Sequence, residues 1–491
     1  MRYKIYWEVT ALALMLAVSS CDGLLDKEPI SEISEGMVGD NGNASDTIRF
    51  KTAVQAESFL GTCYNEFQTE YFQLDYYINS EMQSDNSYQG ANGVELEQIE
   101  NYQLSPTNKN ITRDWGYLYR FIGNANVVID NVLKTPDQTF PDARKRQIRA
   151  EALVMRAWCY FDLVRLYGGV PLVLKAIPSI NSGNVENVYP LLYPDRATED
   201  QVYAQIEKDL IESLPLVQEF PATKAVVSKA LVNSLLAKFY ATKQPADWAK
   251  VKQYAQNVVG DTRYELLPDY ADLFKATAQT NSKESIFEVQ YNLGSNEFWG
   301  YDMHMGTDWK KFNTPTNDLV KAFDNENDQI RKGVSIAFAD VSGKWTDKNW
   351  AVTAYPFAGK YKSRGAKVML VRLADIMLLL GEAENELGGT TAAQGWLNKV
   401  RKRVSLPETS AATKDELRLA FEKERRLELA FEGHRWFDLK RTNRVIPVMN
   451  GFKDSKGSNI FKGKIQPYML LWPVPQSERD MNSKLTQNAG Y

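Results

Sequence analysis

Along most of the chain apolar residues recur every three or four positions, the period of a helix with one buried face. Val227, Leu231, Leu235 and Phe239 stand four apart, and Trp248, Val251, Ala255 and Val258 follow at three to four before Gly260 closes the run. Two-residue alternation appears nowhere with comparable strength, so the pattern predicts a mainly α protein. Thr198 with Gln201, and Thr413 with Glu416, are capping boxes, which satisfy amide groups that have no partner inside their helix. Gly168-Gly169-Val170-Pro171 ends a long helix from about Arg144 to Tyr167, because glycine takes the left-handed cap and proline cannot continue the ladder. The helices fall into pairs: 54 to 69 with 112 to 133, 144 to 167 with 199 to 214, 224 to 243 with 247 to 259, and 368 to 387 with 392 to 404.

The stretch from Ala246 to Val251, followed by Tyr254 and Ala255, has the character of a tetratricopeptide helix pair, a stacked unit of about 34 residues. Spacing between the pairs is irregular, so a decorated array is expected. Its first part spans 54–290 and its C-terminal part 368–491. Between them, 291–367 is an irregular, loop-rich region. Thirteen of the 71 residues from Tyr291 to Tyr361 are aromatic, about 18% against 12% for the chain, which marks this region as the place for binding. Trp299, Tyr301, Trp309 and Trp345 lie there among polar residues, and Asp85-Asn86-Ser87-Tyr88 forms a second polar and aromatic cluster. Trp115, Trp158, Trp248, Trp396 and Trp436 fall on apolar helical faces and are assigned to packing.

The N-terminus has its own pattern. Residues 1–20 carry Arg2 and Lys4, an apolar run from Val9 to Val18 broken only by Thr10, then Ser19 and Ser20. A signal peptide is expected, too short to span a bilayer. The small residues lead into Cys21, the expected lipidated first residue of the mature chain, and 21–53 reads as lipid anchor and polar tether. Cys63 and Cys159 sit in apolar helical patterns and read as buried thiols, although a disulfide between them remains open.

Composition narrows the chemistry. The 491 residues suffice for several cores, and 58 Lys plus Arg against 62 Asp plus Glu leave no basic field for nucleic acid. His304 and His434 are the only histidines, which removes paired-histidine metal sites. The residues therefore predict no cofactor, no metal and no catalytic group. One tempting exception is Glu424, Glu428 and Glu432, four apart on one helix face, since paired carboxylates are glycosidase hardware. Arg425, Arg426, Arg435, Lys440 and Arg441 are interleaved with them, which favours ion pairs tying the last helix to its neighbours. Two further readings stay open: a surface enzyme acting on glycans or peptides, and a tetratricopeptide scaffold that binds only proteins.

Several ordered segments resemble one family along almost the whole mature chain, the SusD/RagB lipoproteins. They are Cys21 to Pro29, Arg149 to Ala157 through Tyr167 to Pro171, Glu284 to Gln290, Arg372 to Asp375, Asn398 to Arg401, Glu424 to Leu439, Leu471 to Pro475 and Gln487 to Tyr491, with Ala489 where proline is commoner. The resemblance implies four tetratricopeptide-like helix pairs and a less regular ligand region. It also implies a non-enzymatic, lipid-anchored outer-membrane protein facing the cell exterior, which captures oligosaccharides and delivers them to a SusC-like TonB-dependent transporter. Ligand aromatics in that family come from both clusters, so Tyr88 with Trp299 is the leading pair. Asp85, Tyr301, Trp309 and Trp345 complete the expected site, because a pyranose stacks its C–H face on an aromatic and needs polar partners for its hydroxyls.

Overall fold

The computed structural model describes residues 49–90, 93–180, 182–276, 280–305 and 311–491. The expected signal peptide, Cys21 and the tether up to residue 48 lie outside them, as does Trp309. Each expected helix pair is present. α1 (Ala53–Asn65) packs on α2 (Lys109–Asn131), and α3 (Asp142–Tyr167) on α4 (Glu199–Ser213). α5 (Lys229–Thr242) packs on α6 (Trp248–Val259), and α7 (Leu373–Glu386) on α8 (Thr390–Arg403). α2 also packs on α3, and α6 on α7, so the pairs stack into one tetratricopeptide-like scaffold. α9 (Lys414–Glu428) then crosses α7 and leads to the short α10 (Arg435–Arg441).

Caps decide where these helices begin. Asn108 accepts from the N–H groups of Asn110 and Ile111, which starts α2 three residues before the periodicity placed it. Ser228 accepts from Leu231 N–H and delays α5 to Lys229. α3 stops as expected at Gly168, whose φ of +75° lies in the region that favours glycine. The carbonyls left over at that end are taken by the C-terminal segment: Trp472 N–H donates to Leu166 O at 2.7 Å, and Asn488 Nδ2 to Tyr167 O at 2.9 Å.

The strands are the main departure from the sequence pattern. β1 (Ser87–Tyr88) pairs antiparallel with β3 (Thr314–Pro315), β2 (Ser285–Gln290) with β6 (Lys367–Arg372), and β4 (Ile336–Ala339) with β5 (Tyr355–Ala358). β6 occupies residues assigned to the start of α7, which therefore begins at Leu373. Val368 to Val371 is a continuous apolar run buried on both faces, so it has no alternation to reveal it. Its pairing with β2, Gln290 opposite Lys367, brings the entry and exit of the aromatic segment side by side. That segment is closed at its base by a buried ribbon.

The core runs through all four pairs. Trp115, Trp158 and Trp436 are buried in it, while Trp248 and Trp396 are half-buried against its edge. Cys63 and Cys159 are both free and buried, and burial pushes both thiols up.

Candidate ligand-binding site

The segment after the helix Tyr76–Met82 is buried from Gln83 to Gln89, unusual for a polar stretch, and its Gln83, Asp85 and Asn86 groups find partners far away in sequence. Asp85 is gripped by Arg435, whose Nε and Nη2 reach its two oxygens at 2.7 and 2.8 Å, and by Arg426 at 3.2 Å. Burial raises its carboxyl and the two guanidiniums outweigh that, pulling it down to about 2. Asn86 accepts from Arg426 Nε and donates to Glu81, and Thr316 donates to the Asp85 carbonyl. This corrects the expectation that Asp85 stands at a binding rim. Its oxygens are spent on a joint between the loop and the scaffold.

That joint presents Tyr88. β1 pairs with β3, and Gly90 follows so close to Tyr355 that a Cβ would lie 2.3 Å from its hydroxyl. Tyr88 is only 6% exposed, and its hydroxyl donates to Asp347 Oδ1 at 2.7 Å. The same oxygen accepts the N–H groups of Asn349 and Trp350, which shapes the 345–350 loop around it. Tyr88 lines a cavity of about 260 Å³ with Met82 at one side and Phe452, Ile460 and Phe461 at another, rimmed by Glu100, Asn317, Asn349 and Lys348. An apolar floor with a polar rim can hold a ring that has both kinds of surface. Phe452 to Phe461, a turn bridged at Lys453 and Asn459, was not anticipated. It follows a short helix, Val445–Gly451, and its Asp454, Ser455, Gly457, Ser458 and Asn459 are a local turn signal that does not say what the turn packs against.

Trp345 stands beside this cavity, half-buried in a small cluster with Val341, Tyr355 and Phe357. Its ring is 5.5 Å from that of Tyr355, and Lys311 Nζ lies 4.9 Å from its centroid. Trp299 and Tyr301 lie elsewhere, at the start of the helix Gly300–Met305, half-buried against the main core. Met305, at the far end of that helix, touches the Trp345 cluster. The fold thus joins Tyr88 and Trp345 through Asp347 and Tyr355, places Trp299 and Tyr301 on a neighbouring element, and leaves neither in the lining of the Tyr88 cavity.

A larger hollow of about 420 Å³ lies between α6, the end of α7 and α9. Its charges are already matched: Arg441 with Glu382, Arg418 with Glu386, Arg444 with Glu422. Glu424, Glu428 and Glu432 are likewise committed. Glu424 pairs with Arg331 at 2.7 Å and Arg401 at 3.0 Å. Glu428 pairs with Arg372, Arg331 and Arg403, and Glu432 with Arg372 and Lys360. All three are buried. Burial would raise Glu428 and Glu432, but their cations hold both below the usual carboxylate range. Together they form a buried ion network that ties the last helices to their neighbours. Among the described residues, no group of three or more His, Cys, Asp or Glu is placed to hold a metal ion.

Comparison with known proteins agrees with this architecture. Residues 38–241 match a family profile described as starch-binding, associating with outer membrane, and residues 341–491 match the SusD family profile. SusD-like protein P2 of Formosa agariphila is 25% identical, with 99% of both chains aligned. The starch-binding protein SusD of Bacteroides thetaiotaomicron is 23% identical over 72% of this chain and 75% of its own. Among solved structures, a SusD superfamily protein from Bacteroides vulgatus superposes with a TM-score of 0.74 at 19% identity, covering 90% of this chain and 99% of that one. A laminarin binding SusD-like protein gives 0.71 at 22% identity, covering 90% and 100%.

Proposed function

The chain belongs to the SusD family, and from that premise we propose that it captures glycans at the bacterial outer membrane and passes them, uncut, to a SusC-like TonB-dependent transporter. One observation carries the reading: a cavity with an aromatic and apolar floor, a polar rim, and walls made of loops pinned to a rigid helical stack. Such a site binds without a catalytic group, because stacking and hydrogen bonds to hydroxyls are its whole chemistry. Relatives point the same way, one named as starch-binding and one as laminarin binding. In this reading Cys21 carries the lipid anchor, the protein faces the cell exterior, and the aromatic segment 291–367 with the Tyr88 loop forms the capturing face. Trp345 flanks the Tyr88 floor, Trp299 and Tyr301 supply further platforms on a neighbouring element, and Trp309, outside the described residues, is kept as a further candidate.

The test is calorimetry of the full-length protein in detergent against a panel of polysaccharides and peptides, with product analysis in parallel. A glycan should bind, and no new reducing ends should accumulate. Tyr88→Ala should weaken binding at least about tenfold, since a truncated aromatic anchor costs about 1.4 kcal/mol or more. Because Tyr88 is buried, the variant is also expected to melt lower, so affinity is measured well below its transition. Binding unchanged in Tyr88→Ala would move the site, and reducing ends produced by the wild type but not by Glu424→Gln would restore the enzyme reading.

A further inference from the structure

Three lysines border the Tyr88 cavity from two loops far apart in sequence: Lys348 from one side, Lys453 and Lys456 from the other. The loops meet where Ser455 Oγ donates to Lys348 O at 3.3 Å. Arg435, at the joint that presents Tyr88, is paired with Asp85. These three are not, for none of them forms an ion pair among the described residues. The acids nearest them are tied to neutral donors instead of forming ion pairs, and Asp347 and Asp454 keep their charges. Asp347 Oδ1 accepts from Tyr88 and from two backbone amides. Asp454 Oδ1 accepts the N–H groups of Lys456 and Ser458 at 2.9 and 2.8 Å, which builds the turn that carries Lys453 and Lys456. Glu100 accepts from Gln89 N–H, and burial, opposed by Lys348, pushes its carboxyl up to about 7, so it is a weak counter-charge at neutral pH. Three lysines against two charged carboxylates leave an excess of positive charge at the mouth, whose self-repulsion an anionic ligand relieves. The overall charge of the chain is −4, so this positive patch is local to the cavity and not a property of the whole surface.

Resting on the capture function proposed above, we propose that the glycan held in this cavity is anionic, its uronate carboxylates or sulfate esters paired with Lys348, Lys453 and Lys456 while a sugar face rests on Tyr88. Charge-assisted contacts at the rim supply selection against neutral chains, and the aromatic floor supplies the orientation.

Three probes separate the possibilities: alginate oligosaccharides for carboxylates, carrageenan oligosaccharides for sulfate esters, and laminarin oligosaccharides as the neutral control. Titrated into the full-length protein in detergent, at least one anionic probe should bind. Its affinity should fall about tenfold or more between about 20 and about 200 mM NaCl, and again in the triple variant Lys348→Gln, Lys453→Gln, Lys456→Gln. All three side chains are exposed, so that variant should melt like the wild type. Which anionic probe binds identifies the group recognised. Tyr88→Ala should weaken the same binding. Anion binding indifferent to Tyr88 would be adsorption to surface charge and would overturn the proposal. Binding of laminarin oligosaccharides alone, unaltered in the triple variant, would overturn it while leaving glycan capture standing. No binding of any of the three probes would overturn the inference and count against glycan capture as well.

Discussion

Asp85 shows how one side chain can change meaning between sequence and structure. In sequence it stands three residues before Tyr88 and reads as a partner for sugar hydroxyls. In the fold it is a buried carboxylate held by two arginines from the other end of the chain. Its pKa drops from the ordinary 3.8 to about 2. The folded state therefore binds that proton less readily than the unfolded state does. The stabilisation it contributes, about 2 kcal/mol, is complete above about pH 4 and disappears as the pH falls through 2. Urea denaturation across that range should show the loss, and Asp85→Asn, less stable at pH 7, should lack this part of the acid dependence. Trp158 is the opposite case, a residue whose role follows from its position. It is 3% exposed, with Phe67 and Phe287 at 5.4 and 5.8 Å between ring centroids. Trp158→Ala should destabilise the fold by about 3 to 5 kcal/mol, read by denaturant titration.

At the scale of elements, α9 is read twice, as a face of carboxylates and as a bolt. The second use prevails. Glu428 alone meets Arg331, Arg372 and Arg403, which arrive from the helix Gln329–Ser335, from β6 and from α8. Removing its charge takes one carboxylate from each of three buried guanidiniums, which are left with Asp328 and Glu424, with Glu284 and Glu432, and with Glu284 alone, so Glu428→Gln should cost about 3 kcal/mol or more, or prevent folding. Replacing the exposed Glu408 by Gln should shift the melting temperature little, which separates burial from charge as the cause. The β2–β6 ribbon has a comparable role. It carries Arg372 into the network and closes the base of the aromatic segment, so the scaffold and the binding loops share one buried joint.

For the whole molecule, the proposed anchor and partner are tested together. Cys21→Ser should release the protein from the membrane fraction, and persistence there would refute the lipid anchor. Tagged wild type, solubilised from cells grown on an inducing glycan, should retrieve a TonB-dependent barrel, and recovery of the tagged protein alone would favour the scaffold reading. The sequence by itself determined the mainly α class, the four helix pairs, the end of α3 and the burial of Trp115, Trp158 and Trp436. These follow from local periodicity, capping and apolar faces, which a single segment displays. The buried ribbons, the fate of Asp85 and the cavity under Tyr88 were decided only by the tertiary structure. Arg435 and Asp85 are 350 residues apart, and Lys348, Lys453 and Tyr88 meet only because separate loops converge. Contacts between distant residues leave no period in the chain, so packing alone could turn one polar loop into a joint and another into the rim of a site.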